Sequence, residues 1–241
     1  VMQEEWRTGK TRDLLRLLAL ENGQPVRVSG LIEKLWPDVT VDRARNSLGT
    51  AASQIRRTVG EPCVVRDHAA LTLRNAWVDV NAFRALAQRA QLAARSSASA
   101  EVLTNARAAL ALYAGDFYAH EDDAPWAVAE RDALKALHVT TLCDASRAAL
   151  ELGLLREAQD LATTAVRLDP TVEAATRSLM RSHAELGEVG LALRVFEDCR
   201  VHLAEELGTD PSPQTQELHL QILRRPREFR ASTLDRLRAS G

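Results

Sequence analysis

The amino-acid sequence predicts a mainly α fold in two parts: a small N-terminal unit of three helices closed by a two-stranded β-ribbon, then an all-α body of repeated helical pairs. Three observations carry this expectation. Apolar residues recur at helical spacing through most of the chain, two short β-branched runs lie together between residues 63 and 74, and the second half repeats itself at a fixed offset. The 241 residues suffice for two cores, and an apolar fraction of 46% belongs to a folded chain rather than a disordered one. No apolar run approaches about 18 residues, and Glu4, Glu5 and Arg7 interrupt the start, so neither a membrane span nor a secretory signal is expected. Cys63, Cys143 and Cys199 are odd in number and far apart, which fits a reducing cytoplasm better than a disulfide framework.

In the first part, Arg12 to Leu20 reads as a helix whose apolar face carries Leu14, Leu15, Leu17 and Leu18, and Asn22-Gly23 ends it. Pro25 to Val28 is a short extended piece. Ser29 is the expected cap of a second helix with Leu31, Ile32, Leu35 and Trp36 facing inward, stopped by Pro37. Asp42 is the expected cap of a third helix that runs to Val59, with Gly60 as its C-terminal stop. Cys63–Arg66 and Leu71–Arg74 read as strands joined by Asp67-His68-Ala69-Ala70. Three helices followed by a ribbon is the layout of a winged helix-turn-helix, here assigned to residues 1–77.

From residue 78 to 224 the pattern is helical, interrupted at Ser96-Ser97-Ala98-Ser99 and between Ala114 and Pro125. Leu152-Gly153 recurs as Leu186-Gly187, Ala158 as Ala192 and Ala162 as Phe196, each 34 positions on, which is the tetratricopeptide period of two antiparallel helices. Asp169-Pro170 closes the first unit. Two such units cannot bury a solenoid core alone, so the flanking helices are expected to cap them. Residues 225–241 are Arg-rich and unpatterned, as a linker or frayed end would be.

The third helix carries the chemistry. Leu48, Ala52, Ile55 and Val59 form one buried stripe, and at about 100° per residue Asn46, Thr50, Ser53 and Arg57 fall opposite it, flanked by Arg43 and Gln54. That outer face offers amide, hydroxyl and guanidinium groups without a carboxylate. Asn and Gln pair with adenine edges, Arg with guanine or phosphate, so the face is suited to reading the major groove of double-stranded promoter DNA. Arg66 and His68 on the ribbon are placed to reach an adjacent minor groove or phosphate. The charge agrees in sign: the net charge of −2 is the balance of +3 over residues 1–75 and −5 over the remainder.

On these residues the chain resembles the Streptomyces antibiotic regulatory protein family, bacterial regulators with a winged helix followed by a bacterial transcriptional activator domain. In the head the matching words are Gly9-Lys10-Thr11-Arg12-Asp13-Leu14-Leu15, Leu31-Ile32-Glu33-Lys34-Leu35-Trp36-Pro37, and Ala44-Arg45-Asn46-Ser47-Leu48 running to Ile55-Arg56-Arg57. In the body they are Val78 to Phe83, Leu112 to Phe117, Trp126 with Arg131 and Leu134, Asp169 to Ala174, and Glu205 to Ser212. The resemblance implies DNA contacts from Asn46, Ser53, Gln54 and Arg56, with Arg45 and Arg57 on phosphate. It also implies a body that self-associates, as in a homo-dimer, or contacts RNA polymerase or a sigma factor. Two departures stand out: the family's strands before the first helix are nearly absent, and Ala69-Ala70 replaces the usual Gly-Tyr pair of the wing. Opening on Val1, the chain fits a piece of a larger protein.

Other signals are set aside. Gly9-Lys10-Thr11 invites a phosphate-loop reading, but the glycine required five positions earlier is Glu4. His120-Glu121-Asp122-Asp123 reads as a solvated acidic loop, and the histidines and cysteines lack metal-ligand spacing. No cofactor and no catalysis are expected, and no residue singles out a small-molecule effector. Phe117 and Trp126 read as core anchors. The alternative to a DNA-binding regulator is a helical interaction or signal-sensing scaffold whose winged helix binds protein.

Overall fold

The structure is a computed structural model that describes residues 8–60, 63–118 and 124–224. The Arg-rich tail and the acidic stretch at 120–123 lie outside these. The chain divides into two compact units, Val1–Ala82 and Phe83–Gly241.

The first unit holds α1 (Gly9–Leu20), β1 (Val26–Arg27), α2 (Val28–Leu35), α3 (Val41–Val59), β2 (Val64–Asp67) and β3 (Ala70–Leu73). Thr8 caps α1, its hydroxyl accepting the Thr11 amide, so Gly9-Lys10-Thr11 is simply a capped first helical turn. Leu14, Leu17 and Leu18 of α1, Leu31 and Leu35 of α2, and Leu48 and Ile55 of α3 meet over Leu71 and Leu73 of the sheet. Each such side chain contributes roughly 1.5–3 kcal/mol on burial.

Several local details differ from the sequence-based expectation. The ribbon is a three-stranded antiparallel sheet of order β1-β3-β2, because Val26 and Arg27 pair with Leu71 and Ala70. A two-residue strand is too short for alternation to reveal. The hairpin loop is two residues, His68-Ala69, closed by the Asp67–Ala70 pair, with His68 left-handed at φ +45°. Ser29 caps nothing: α2 begins at Val28, whose amide donates to the Ala69 carbonyl at 2.7 Å. Asp42 lies inside the first turn of α3, where a carboxylate favours the helix dipole, and Thr40 occupies the cap position. Val59, expected in the buried stripe, is 38% exposed as the last helical residue, while Ala44 and Ala51 join the stripe instead.

The second unit is all helix: α4 (Asp79–Arg95), which starts just before the division, α5 (Ser99–Leu110), α6 (Pro125–Glu151), α7 (Leu155–Leu168), α8 (Glu173–Glu185), α9 (Val189–Leu207) and α10 (Pro213–Arg224). The repeated glycines sit where the period placed them. At Gly153 (φ +75°) the amide donates back to Leu150 at 3.0 Å and the Leu154 amide to Ala149 at 2.8 Å. Gly187 (φ +81°) repeats this with Ala184 at 3.0 Å, and Glu188 with His183 at 2.8 Å. Both are Schellman closures, which need a left-handed residue.

The α4–α5 turn makes the same closure, with Ser97 (φ +54°) donating to Ala94 at 3.3 Å and Ala98 to Ala93 at 3.1 Å. The segment expected only to flank the repeats is therefore a third hairpin, concealed because serine stands where the others have glycine. Ala90, Ala93, Ala106, Ala145, Ala149 and Ala158 build the core shared by α4 to α7. Phe117 and Trp126 pack with buried Tyr118 as anchors of the α5–α6 connection, and the Arg131 guanidinium donates to the Phe117 (2.7 Å) and Tyr118 (2.6 Å) carbonyls.

Candidate nucleic-acid interface

Helix α3 presents what the residues promised on one side and spends part of it inward. Ala44, Leu48, Ala51, Ala52 and Ile55 are buried against the head. Arg43, Asn46, Thr50 and Arg57 are exposed on the opposite side, with Ser53 half-buried at its edge. The Thr50 hydroxyl donates to the Asn46 carbonyl at 3.1 Å, which keeps it close to the helix. The only carboxylate in α3 is Asp42, 3.9 Å from Arg45 with both side chains largely in solvent, so the pair does little to hold either in place.

Two of the candidate residues have a structural task. Gln54 is half-buried, and its side-chain oxygen accepts the hydroxyl of buried Thr11 at 3.2 Å, fastening α3 to the first turn of α1. Arg56 is half-buried too; its Nε donates to the Val64 carbonyl at 2.7 Å, tying α3 to strand β2. Helical spacing identifies the face a residue occupies but not what a neighbouring element brings to it.

Arg45, Arg66 and His68 come together from separate elements. They line one open groove of about 910 Å³ bounded by the start of α2, the Trp36–Val41 turn and the hairpin loop. Arg27 and Ser29 line it as well, two polar residues that sequence reasoning passed over. Their signal was available in the basic residue at the end of β1, but only the pairing of β1 with β3 carries it to the hairpin. His68 is almost fully exposed and lies 3.7 Å from Asp67. The head thus has an outer α3 face and, beside it, a groove with basic side chains from β1, α3 and the hairpin, together with Glu33 of α2.

In the second unit, Leu207-Gly208-Thr209-Asp210-Pro211-Ser212-Pro213 is a helix-to-helix splice. Gly208 is left-handed at φ +65° and ends α9. The Ser212 amide (2.9 Å) and hydroxyl (2.6 Å) donate to Glu173 at the start of α8, and Arg177 donates to Thr215 of α10 at 3.0 Å. Burial pushes the Glu173 carboxyl up, but the hydrogen bonds from Ser212 and Thr215, together with Arg177, hold it below the usual glutamate range. Among the described residues no helix is long and apolar enough to cross a membrane.

With that geometry in view, comparison with known proteins decides the family. Residues 78–223 match the bacterial transcriptional activator domain. The chain belongs to this family. Regulatory protein AfsR of Streptomyces griseus is 28% identical over 220 residues, covering 90% of the chain and 22% of that protein. The AfsR of Streptomyces coelicolor is 29% identical over 229 residues, covering 90% of the chain and 23% of that protein. The chain therefore spans under a quarter of the length of these relatives. Among solved structures, Mycobacterium tuberculosis EmbR in complex with a low affinity phosphopeptide superposes with a TM-score of 0.80 at 20% identity, covering 95% of the chain and 64% of EmbR. The matched domain and these relatives belong to transcription regulation.

Proposed function

We propose that this activator-domain protein is a sequence-specific DNA-binding transcription regulator whose head, residues 1–77, reads promoter DNA and whose helical body, residues 78–224, pairs heads or contacts RNA polymerase or its sigma factor. The observation that carries the reading is the exposed outer face of α3, where Arg43, Asn46, Thr50 and Arg57 stand together and Asp42, in the first turn, is the one carboxylate of the helix. In a major groove, Asn46 and Ser53 would meet base edges and Arg43 and Arg57 the flanking phosphates. Arg45, Arg66 and His68, sharing one groove, would follow the backbone on the ribbon side. Gln54 and Arg56 serve as positioning residues, since each is bonded within the head.

Each phosphate neutralised by arginine releases counterions, so affinity for duplex DNA should fall steeply and linearly on a log–log plot against salt. Fluorescence anisotropy with promoter fragments at several salt concentrations tests this. Flat salt dependence, or no preference among fragments, would sink the reading. A single winged helix reads a short site, so the intact chain should prefer two half-sites about one DNA turn apart, or a multiple of it, over a lone half-site.

A further inference from the structure

Helix α3 carries a glycine that the fold does not ask for. Gly49 is exposed and lies midway along the 19 residues of α3. A Cβ placed on it would meet no other group within 4 Å among the described residues, and its φ is not left-handed, so neither crowding nor a turn requires glycine there. Glycine in a helix interior is less stable than alanine, because the unfolded chain has more backbone freedom to lose. The other helical glycines among the described residues, Gly9, Gly30 and Gly190, stand within the first three residues of α1, α2 and α9, outside the helix interior where that penalty applies in full.

Its surroundings give the gap a shape. On the helix surface Gly49 neighbours Arg45 and Asn46 one turn before it and Ala52 and Ser53 one turn after it. Thr50, the next residue, holds its hydroxyl against the Asn46 carbonyl at 3.1 Å. The middle of the exposed side is therefore low, with short side chains and one bare stretch of backbone. Arg43 and Arg45, both long and exposed, rise before it, and exposed Arg57 rises after it. Such a saddle suits a duplex groove, because guanidinium groups reach the phosphates of the two walls while bare backbone meets the base edges between them. A face that met only water would be more stable with alanine at 49.

We propose that Gly49 is the point of closest approach between α3 and duplex DNA, the residue that sets how deeply the helix seats. The missing Cβ lets the helix backbone lie against base edges, at a depth that brings Asn46 and Ser53 within reach of them. This rests on the reading of α3 as the DNA-facing helix. Any side chain at 49 would lift α3 from the groove floor and lengthen the bonds made by Asn46 and Ser53, while the long, flexible arginines would still reach phosphate. The consequence is an opposition of sign: filling the position stabilises the protein and weakens its reading of DNA.

The test uses the full chain, a duplex that the parent selects from a randomised pool, and an unrelated duplex of the same length. Gly49→Ala should melt at a higher temperature than the parent and bind the selected duplex on the order of ten-fold more weakly. Its affinity for the unrelated duplex should stay within about two-fold of the parent, since that binding is carried by phosphate contacts. Gly49→Leu should weaken the selected duplex further. Gly190→Ala, which fills an equally open helical position in the second unit, should leave both affinities unchanged. Equal binding of the selected duplex by parent and Gly49→Ala, or equal losses on the two duplexes, would overturn the proposal. So would a lower melting temperature for Gly49→Ala, which would make the glycine a requirement of folding. A parent that selects no duplex would instead remove the DNA reading itself, and the proposal with it.

Discussion

The two compact units bury their cores with different residues. In the first unit the interior is leucine: Leu14, Leu18, Leu31, Leu35, Leu48 and Leu71 are all at most 2% exposed. In the second, alanine takes that place; Ala106, Ala145, Ala149, Ala158, Ala162 and Ala165 are fully buried. Large side chains let three helices and a small sheet reach one another across a single centre. Small ones let paired helices pack at close range, so that stability is spread over many modest contacts and repeated turns. The first unit should therefore be sensitive to loss of one side chain, and the second to the geometry of its turns.

The largest expected effect tests the leucine core. Leu48→Ala or Ile55→Ala should cost roughly 2–5 kcal/mol, because each leaves a cavity that few neighbours can fill. A thermal melt followed by a probe in the head would show it. A loss under about 1 kcal/mol would mean the stripe is less tightly packed than its burial implies.

Next comes the division of labour on α3. Arg56→Ala should destabilise the head by about 1–3 kcal/mol through loss of its bond to the Val64 carbonyl. Asn46→Ala, at an exposed position, should leave melting within about 0.5 kcal/mol and instead relax base preference by about 1–3 kcal/mol at one position of the DNA site. Paired melting curves and binding to base-substituted sites separate the two. If Asn46→Ala unfolds the head, the faces have been assigned the wrong way round.

A smaller effect belongs to the splice between α9 and α10. The folded Glu173 carboxyl is held below its ordinary range, so its contribution to stability is present above the unfolded glutamate pKa and is lost as pH falls through the folded value. Acid titration of the melting temperature should show this loss, and Glu173→Gln should be less stable than the parent at neutral pH yet converge with it in acid. Parallel curves for the two would count against the Ser212–Glu173 bonds as the source.

The smallest effect separates turns that look alike. Ser97→Gly should stabilise the α4–α5 hairpin by a few tenths to about 1 kcal/mol by relieving a left-handed serine, while Gly153→Ala and Gly187→Ala should cost about as much. Denaturant melts of the three variants compare them directly. Destabilisation by Ser97→Gly would show that the third turn closes for a reason the other two lack.

The sequence by itself determined the fold class, the helical stripes and the 34-residue repeat, because periodic burial and left-handed turns leave marks on residue type. Leu48 and Ile55 were legible as core and Gly153 and Gly187 as turns for that reason. Asn46 and Thr50 were likewise legible as exposed polar positions on α3. Only the tertiary structure decided matters that depend on what another element supplies. The Thr11 hydroxyl donates to Gln54 and the Val64 carbonyl accepts from Arg56, since α1 and β2 happen to reach those flanks of α3. The Val26–Arg27 strand exists because β3 offers it an edge, and that pairing brings Arg27 into the groove with Arg45, Arg66 and His68. The third hairpin was invisible for the same physical reason: a turn without glycine becomes a feature only when helices pack.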